Sequence, residues 1–383
     1  MAYFTKRNQI CQMIKELKAF EADAKVKIVI LKGNGKAFCA GGDVLASYTC
    51  QVAGHWSYGT NFYKKQVMLD YLVATYGKPV VAIIDGIVMG GGAGLSLQAT
   101  FRIVTENTVY FCLTYWKHRE LICLSDWISN GALLLHELAK VFAMPETAIG
   151  HFADVGSSYF LSRLPGFYGE YLGLTGAKIR GAEMVECGLA THFMLSKDVR
   201  LLETALDEVT SDTKTISEIF SKFTHKSNDK QHGAYSRLEI INKCFSRTTV
   251  EEILSSLESE AESKSEKWIL DAINWIKSAC PTSLKISLRS IREGRTKELE
   301  QCLIQECTIV CHIVRRTVSN DFYEGVRAIL LDKDKNPKWE PSKLELVTDE
   351  MVDKYFSRVD EDEMEPLQLP ARSNLVDTMR PKL

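Results

Sequence analysis

The stretch PVVAIIDGIVMGGGAG, residues 79–94, passes from an unbroken apolar run into a cluster of glycines. A short Val/Ile-rich run bounded by turn residues predicts a buried strand, here over residues 79–84. The glycines after it mark a tight turn leading into a short helix. A second stretch is built alike: VKIVILKG (residues 26–33) predicts a strand over 26–31, and the glycine-bearing KAFCAGGD (36–43) follows. Glycine lets backbone approach a ligand closely and adopt turns closed to other residues.

Outward from these stretches, helix and strand alternate. Ile10, Met13, Ile14, Leu17 and Phe20 recur at helical spacing, a second helical pattern covers about residues 58–76, and FRIVTE (101–106) predicts another strand. Such alternation argues for an α/β fold with parallel pairing. Of 24 glycines only Gly233, Gly294 and Gly325 come after residue 190. Beyond Lys197 the chain turns helical and charged, in LLETALDEV, TVEEILSSLESEAES, SEKWILDAINWIKSA and KELEQCLIQECTIVCHIVRR. Their charges are expected on solvated helix faces. The division is therefore 1–199 for the core and 200–383 for a helical C-terminal region.

Composition narrows the function classes. A chain of 383 residues with 45% hydrophobic and 25% charged residues is of ordinary globular make-up. Its formal net charge of −2 gives no reason to expect nucleic acid or an anionic membrane as partner. The 11 cysteines lack the spacing of a disulfide framework, and Cys112 and Cys123 have no second pair to make a zinc site. The apolar runs fall short of the ~20 residues that cross a bilayer. No signal or transit peptide opens the chain. It closes on Pro381, Lys382 and Leu383, a partial match to the peroxisomal Ser-Lys-Leu address.

Two glycine clusters, each opening a helix, could aim unpaired backbone N–H groups at one point and stabilise charge on a carbonyl oxygen. Neither fits a phosphate loop or a dinucleotide fingerprint. In MPETAIGHFADVGSSYFLSRLPG (144–166), Glu146 follows a proline at a candidate helix entrance, and Asp154 lies eight residues on, beside Gly156. Two acids in mostly uncharged surroundings could share a pocket, one as base or nucleophile and the other as polar anchor. Each feature alone is more often the mark of a tight turn, a helix-start acid or a turn aspartate.

In order, AFCAGGD, DGIVMGGGAGLS, MPETAIG, DVG and LTGAKIRGAEMVECGLATHF resemble the crotonase (enoyl-CoA hydratase/isomerase) superfamily. SLKISLRSIREG (283–294) and SNDFYEGVRAILLDKDKNPKW (319–339) resemble its 3-hydroxyisobutyryl-CoA hydrolase branch. The resemblance implies a ββα spiral core and hydrolysis of a short 3-hydroxyacyl-CoA thioester, with no metal or redox cofactor. It implies an oxyanion hole from the N–H groups of Gly42 and Gly91, Glu146 and Asp154 as catalytic acids, and Gln66, Gly91, Glu146 and Asp154 against the substrate. Hydratases carry a catalytic glutamate where Gly94 stands, which argues against hydration. Valine breakdown, a peroxisomal or else mitochondrial or cytoplasmic location, and a homo-oligomer belong to the same expectation.

The chain departs from that family at three places. It begins late, without the strand and the N-R-P…N-A-L segment that help bind the CoA moiety. Residues 110–141, rich in Leu, Trp and Cys and containing His118 and His136, read as an insertion. Gln66 replaces a usual glutamate, and His151 and Ala153 replace a usual Leu and Pro. Competing readings are an enoyl-CoA isomerase with Glu146 as sole base, and a non-catalytic protein.

Overall fold

The computed structural model describes residues 7–35, 37–39, 41–42, 44–110, 146–207, 213–225, 234–359 and 365–372. His118, His136, Cys112, Cys123 and Pro381 to Leu383 lie outside these residues, as does the 110–141 stretch beyond Tyr110.

Seven short strands, β1 (Val29–Lys32), β2 (Ala37–Cys39), β3 (Val80–Ile84), β4 (Ile87–Val88), β5 (Phe101–Val104), β6 (Val109–Tyr110) and β7 (His192–Phe193), make two sheets. One has the order β1-β3-β5-β7 and the other β2-β4-β6, and every pair is parallel. Each passage through the chain thus gives one strand to each sheet before a helix carries it on, which is a ββα spiral. All five residues of β3 are buried, because it has a neighbour on each side and both faces are covered. That is why its sequence is an unbroken apolar run rather than an alternating one.

The predicted helices at 10–20 and 58–76 are Arg7–Ala22 and Trp56–Ala74. One expectation needs correcting. KAFCAGGD does not simply follow the first strand: Ala37–Cys39 within it is the strand β2, too short to show a periodic pattern.

After β7 the described chain is helical, with long helices at Val250–Ser263, Lys267–Ser278, Pro281–Gly294 and Leu299–Val314. Thr249 caps the first through a reciprocal pair with Glu252, and Pro281 opens the third, where a missing N–H costs nothing. The largest apolar cluster runs from Ile10 through Leu189 to Leu344, so the first three of these helices share a core with the sheets. A second cluster joins Tyr63, Val67 and Tyr71 of the Trp56–Ala74 helix to Leu303, Cys307 and Val310 of the Leu299–Val314 helix. The nine described cysteines are all free.

Candidate active site

The site forms where the second sheet ends. Parallel β2 and β4 pair Cys39 with Val88, so both chains leave the sheet side by side. The Met89 N–H donates to the Cys39 carbonyl at 2.9 Å and keeps them together for another step. Only glycine then fits. Gly41 is left-handed at φ 84°, and a Cβ on it would stand 3.0 Å from the Met89 carbonyl oxygen. Gly90, also with positive φ (47°), turns the chain into the helix Gly91–Leu97. Gly42 and Gly91 therefore sit on adjacent turns, each three residues past a paired strand residue. Among the described residues no acceptor meets either N–H.

Glu146 begins a short 3-10 turn, Glu146–Ile149. The C-terminal helices clamp that turn. The Cys280 N–H donates to the Thr147 carbonyl at 3.0 Å, and Trp275 Nε1 donates to Thr147 Oγ1 at 3.2 Å. Gly150, at φ 71°, has no room for a Cβ, which would stand 2.2 Å from the Asp321 carbonyl oxygen. The Glu146 carboxyl is buried, and its Oε2 makes no hydrogen bond within the protein. Burial first, and then the negative charge of Asp154, push its pKa well above the usual carboxylate range.

Asp154 is buried as well, and burial pushes its pKa up to about 7 against hydrogen bonds from the backbone and Tyr63. Two acids this close in a dry pocket cannot both ionise cheaply, so the pair holds a proton near neutrality. His151 Nδ1 lies 3.9 Å from Asp154 Oδ2, but burial lowers the pKa of this imidazole to about 4. The contact is therefore not an ion pair at neutral pH. Nδ1 lies 3.1 Å from the Phe152 carbonyl, which as an acceptor fixes the proton on that nitrogen.

Gln66 is brought to the same place. Its Nε2 donates to Asp70 Oδ1 at 2.8 Å and approaches the Gly91 carbonyl at 3.4 Å. A Cβ on Gly91 would come within 3.2 Å of the Gln66 amide. Gln66 and Asp154 are thus both linked to Asp70, Glu146 lies within electrostatic reach of Asp154, and Gly42 stands on the turn beside Gly91.

Three more buried groups there escaped the sequence reading. Tyr63 and Asp70 lie on the Trp56–Ala74 helix, and Glu306 lies on the Leu299–Val314 helix. The expectation that the C-terminal charges face solvent fails at Glu306, which has no exposed surface. Its position on the apolar stripe with Cys302, Leu303 and Val310 was the signal available. Among the described residues, no group of three or more His, Cys, Asp or Glu side chains is placed to hold a metal ion.

The family model described as "Enoyl-CoA hydratase/isomerase" matches residues 6–111 and 137–356. The chain belongs to the enoyl-CoA hydratase/isomerase family. The break between the two matched segments of the family falls inside the 110–141 stretch. A family relative from Arabidopsis thaliana, "3-hydroxyisobutyryl-CoA hydrolase 1", is 50% identical over 96% of this chain and 89% of its own length. The mitochondrial 3-hydroxyisobutyryl-CoA hydrolase of Xenopus tropicalis is 38% identical over 89% of this chain and 80% of its own. Among solved structures, a carnitinyl-CoA dehydratase from Mycobacterium thermoresistibile superposes with a TM-score of 0.76. It is 29% identical and covers 95% of this chain and 91% of that one.

Proposed function

We propose that this chain hydrolyses 3-hydroxyisobutyryl-CoA to the free hydroxy acid and coenzyme A. The observation that carries the reading is the buried pair Glu146 and Asp154 beside a Gly94 that leaves no space for a hydratase's second acid. The hydrolase names of the relatives support it.

In this mechanism the thioester oxygen accepts the N–H groups of Gly42 and Gly91. Charge that develops on it in the tetrahedral intermediate is stabilised by donors already in place. Glu146, in its ionised form, has two routes. It attacks the carbonyl carbon, the C–S bond breaks with loss of the thiolate, and water then hydrolyses the mixed anhydride. Alternatively it takes a proton from a water that attacks the same carbon. Either way one thioester and one water become one acid and one thiol. Asp154 orients the acyl group through its 3-hydroxyl, and Gln66 lines the pocket beside Gly91. The chemistry calls on no metal or redox cofactor.

The proposal extends to a role in valine breakdown and to a homo-oligomer working on free acyl-CoA. The mitochondrial relative favours a mitochondrial address over a peroxisomal one. A fluorescent fusion with and without Leu383 separates the two.

Thiol release from 3-hydroxyisobutyryl-CoA is the test of reaction class. The proposal expects release without water addition to a 2-enoyl-CoA. Conversion of a 3-enoyl-CoA with no free thiol would instead make the protein an isomerase.

A further inference from the structure

We propose that Glu306, outside the catalytic pair, is a positioning residue that fixes Asp154 through the strained turn between them. The inference rests on the hydrolase reading above.

The turn after Asp154 is unusual. Val155 has φ 54° and Gly156 has φ 85°, two successive residues in the left-handed region. Glycine adopts that conformation freely, but a β-branched valine does so only when its surroundings impose it. The constraint comes from buried side chains on two helices. The Val155 N–H donates to the Tyr63 hydroxyl at 3.2 Å, and the Gly156 N–H donates to Glu306 Oε2 at 2.6 Å. Glu306 Oε1 accepts the Ser158 N–H at 3.0 Å and the Ser158 hydroxyl at 2.5 Å.

Glu306 therefore spends both carboxyl oxygens on the segment that carries Asp154. None of these partners is a cation. A buried carboxylate held only by neutral donors is poor value for stability, since an apolar residue there would avoid the desolvation. Its geometry is better explained by what it holds. It acts with Tyr63, which bonds both the Val155 N–H and Asp154 itself.

Charge links the same groups. Burial first, and in smaller part the charge of Asp154, pushes the Glu306 pKa up to about 7; burial first, and then both acids, raise those of Tyr63 and Asp70. The other titratable groups around them are Glu146 and His151 beside Asp154, and Cys302 and Cys307 on the Glu306 helix, with Lys64 near Cys307. Repulsion is mutual, so as Glu306 ionises near pH 7 its charge opposes that of Asp154, and removing it should let Asp154 ionise at somewhat lower pH.

The test compares wild type with Glu306→Gln and Glu306→Asp. Gln keeps the volume but turns an NH2 group against the backbone donors and removes the charge. Asp keeps the charge on a shorter arm. Glu306→Gln is expected to lower kcat at least tenfold with KM little changed, and to move the acid limb of the pH profile to lower pH. Glu306→Asp is expected to lower kcat with the limb in place. Asp154 is also titrated without substrate, through the infrared carboxyl band that Asp154→Asn lacks; its midpoint should fall in Glu306→Gln. If Glu306→Gln does not fold, Ser158→Ala removes one donor and is expected to lower kcat in the same sense. A folded Glu306→Gln with wild-type kcat and an unmoved Asp154 midpoint overturns the inference, even where wild type releases thiol. Wild type without thiol release, but with a shifted midpoint in Glu306→Gln, defeats the hydrolase reading and leaves the positioning role standing.

Discussion

Gly94 and Asp70 face each other with no side chain between them: a Cβ on Gly94 would stand 2.8 Å from Asp70 Oδ2. The same Cβ would lie 2.8 Å from Val155 Cβ and 2.9 Å from its carbonyl oxygen. The place expected for a hydratase's glutamate is thus filled from two sides, by a buried acid and by the strained residue next to Asp154. Gly94→Ala is expected to destabilise the fold by about 1–3 kcal/mol and to depress thiol release through Val155. Gly94→Glu should do both more severely, without gaining hydration of a 2-enoyl-CoA. Denaturant melts and the two activity assays check this, and a stable Gly94→Glu variant that hydrates would contradict it.

Asp154 gives a pH-dependent prediction whose sign is fixed. Its folded pKa of about 7 lies above the usual 3.8, so between these values the folded state holds a proton that the unfolded state has lost. Stability therefore falls as pH rises through this window, and the loss is complete above about pH 7. Asp154→Asn should remove that penalty while abolishing activity. Tm is expected to rise by roughly 2–6 °C at pH 8 and scarcely at pH 4. Equal melting of the two proteins at pH 8 would argue against a buried, proton-holding Asp154.

Gln66 is expected to line the substrate pocket, and the structure shows what its amide does. It donates to Asp70, which is fully buried and whose pKa burial raises well above the usual carboxylate range. Gln66→Glu would set two carboxyls against each other, so the variant must take up a proton to remain folded. Its Tm should fall below wild type at pH 8 and approach it near pH 5. A pH-independent difference would mean the new acid turns away from Asp70.

Gly325, in the C-terminal SNDFYEGVRAILL stretch, packs against Ile149. A Cβ there would press within 2.3 Å of the Ile149 carbonyl group, at the end of the turn that Glu146 begins. Gly325→Ala should shift that turn and lower kcat by roughly 10- to 100-fold, since displacements near 1 Å are that expensive in an active site. Steady-state kinetics on the folded variant read it directly; an unchanged kcat would show that Glu146 is insulated from the helix carrying Gly325.

These relationships explain what the sequence reveals and what it hides. A five-residue run such as Val80–Ile84, enclosed on both sides, declares itself through unbroken apolar character. Strands of two residues, Ile87–Val88 and His192–Phe193, are too short for any period and exist because neighbours pair with them. Glu146, Asp154 and the glycine turns stand out because acids amid uncharged residues and clustered glycines are local signals. Glu306 bonds a segment about 150 positions earlier in the chain. Its only local mark is an acid on an apolar helical stripe. The left-handed Val155 leaves no mark at all, because tertiary contacts impose that conformation on a residue that disfavours it.

The central claim is that the two buried acids hydrolyse a thioester held at the glycine turns. Thiol release from 3-hydroxyisobutyryl-CoA, followed with a chromogenic thiol reagent, tests it most directly when wild type is run beside Glu146→Gln and Asp154→Asn. The account predicts release by wild type and loss of at least a hundredfold in each variant, with all three proteins folded. Release that survives in Glu146→Gln, or none from folded wild type that binds the CoA thioester, would contradict it.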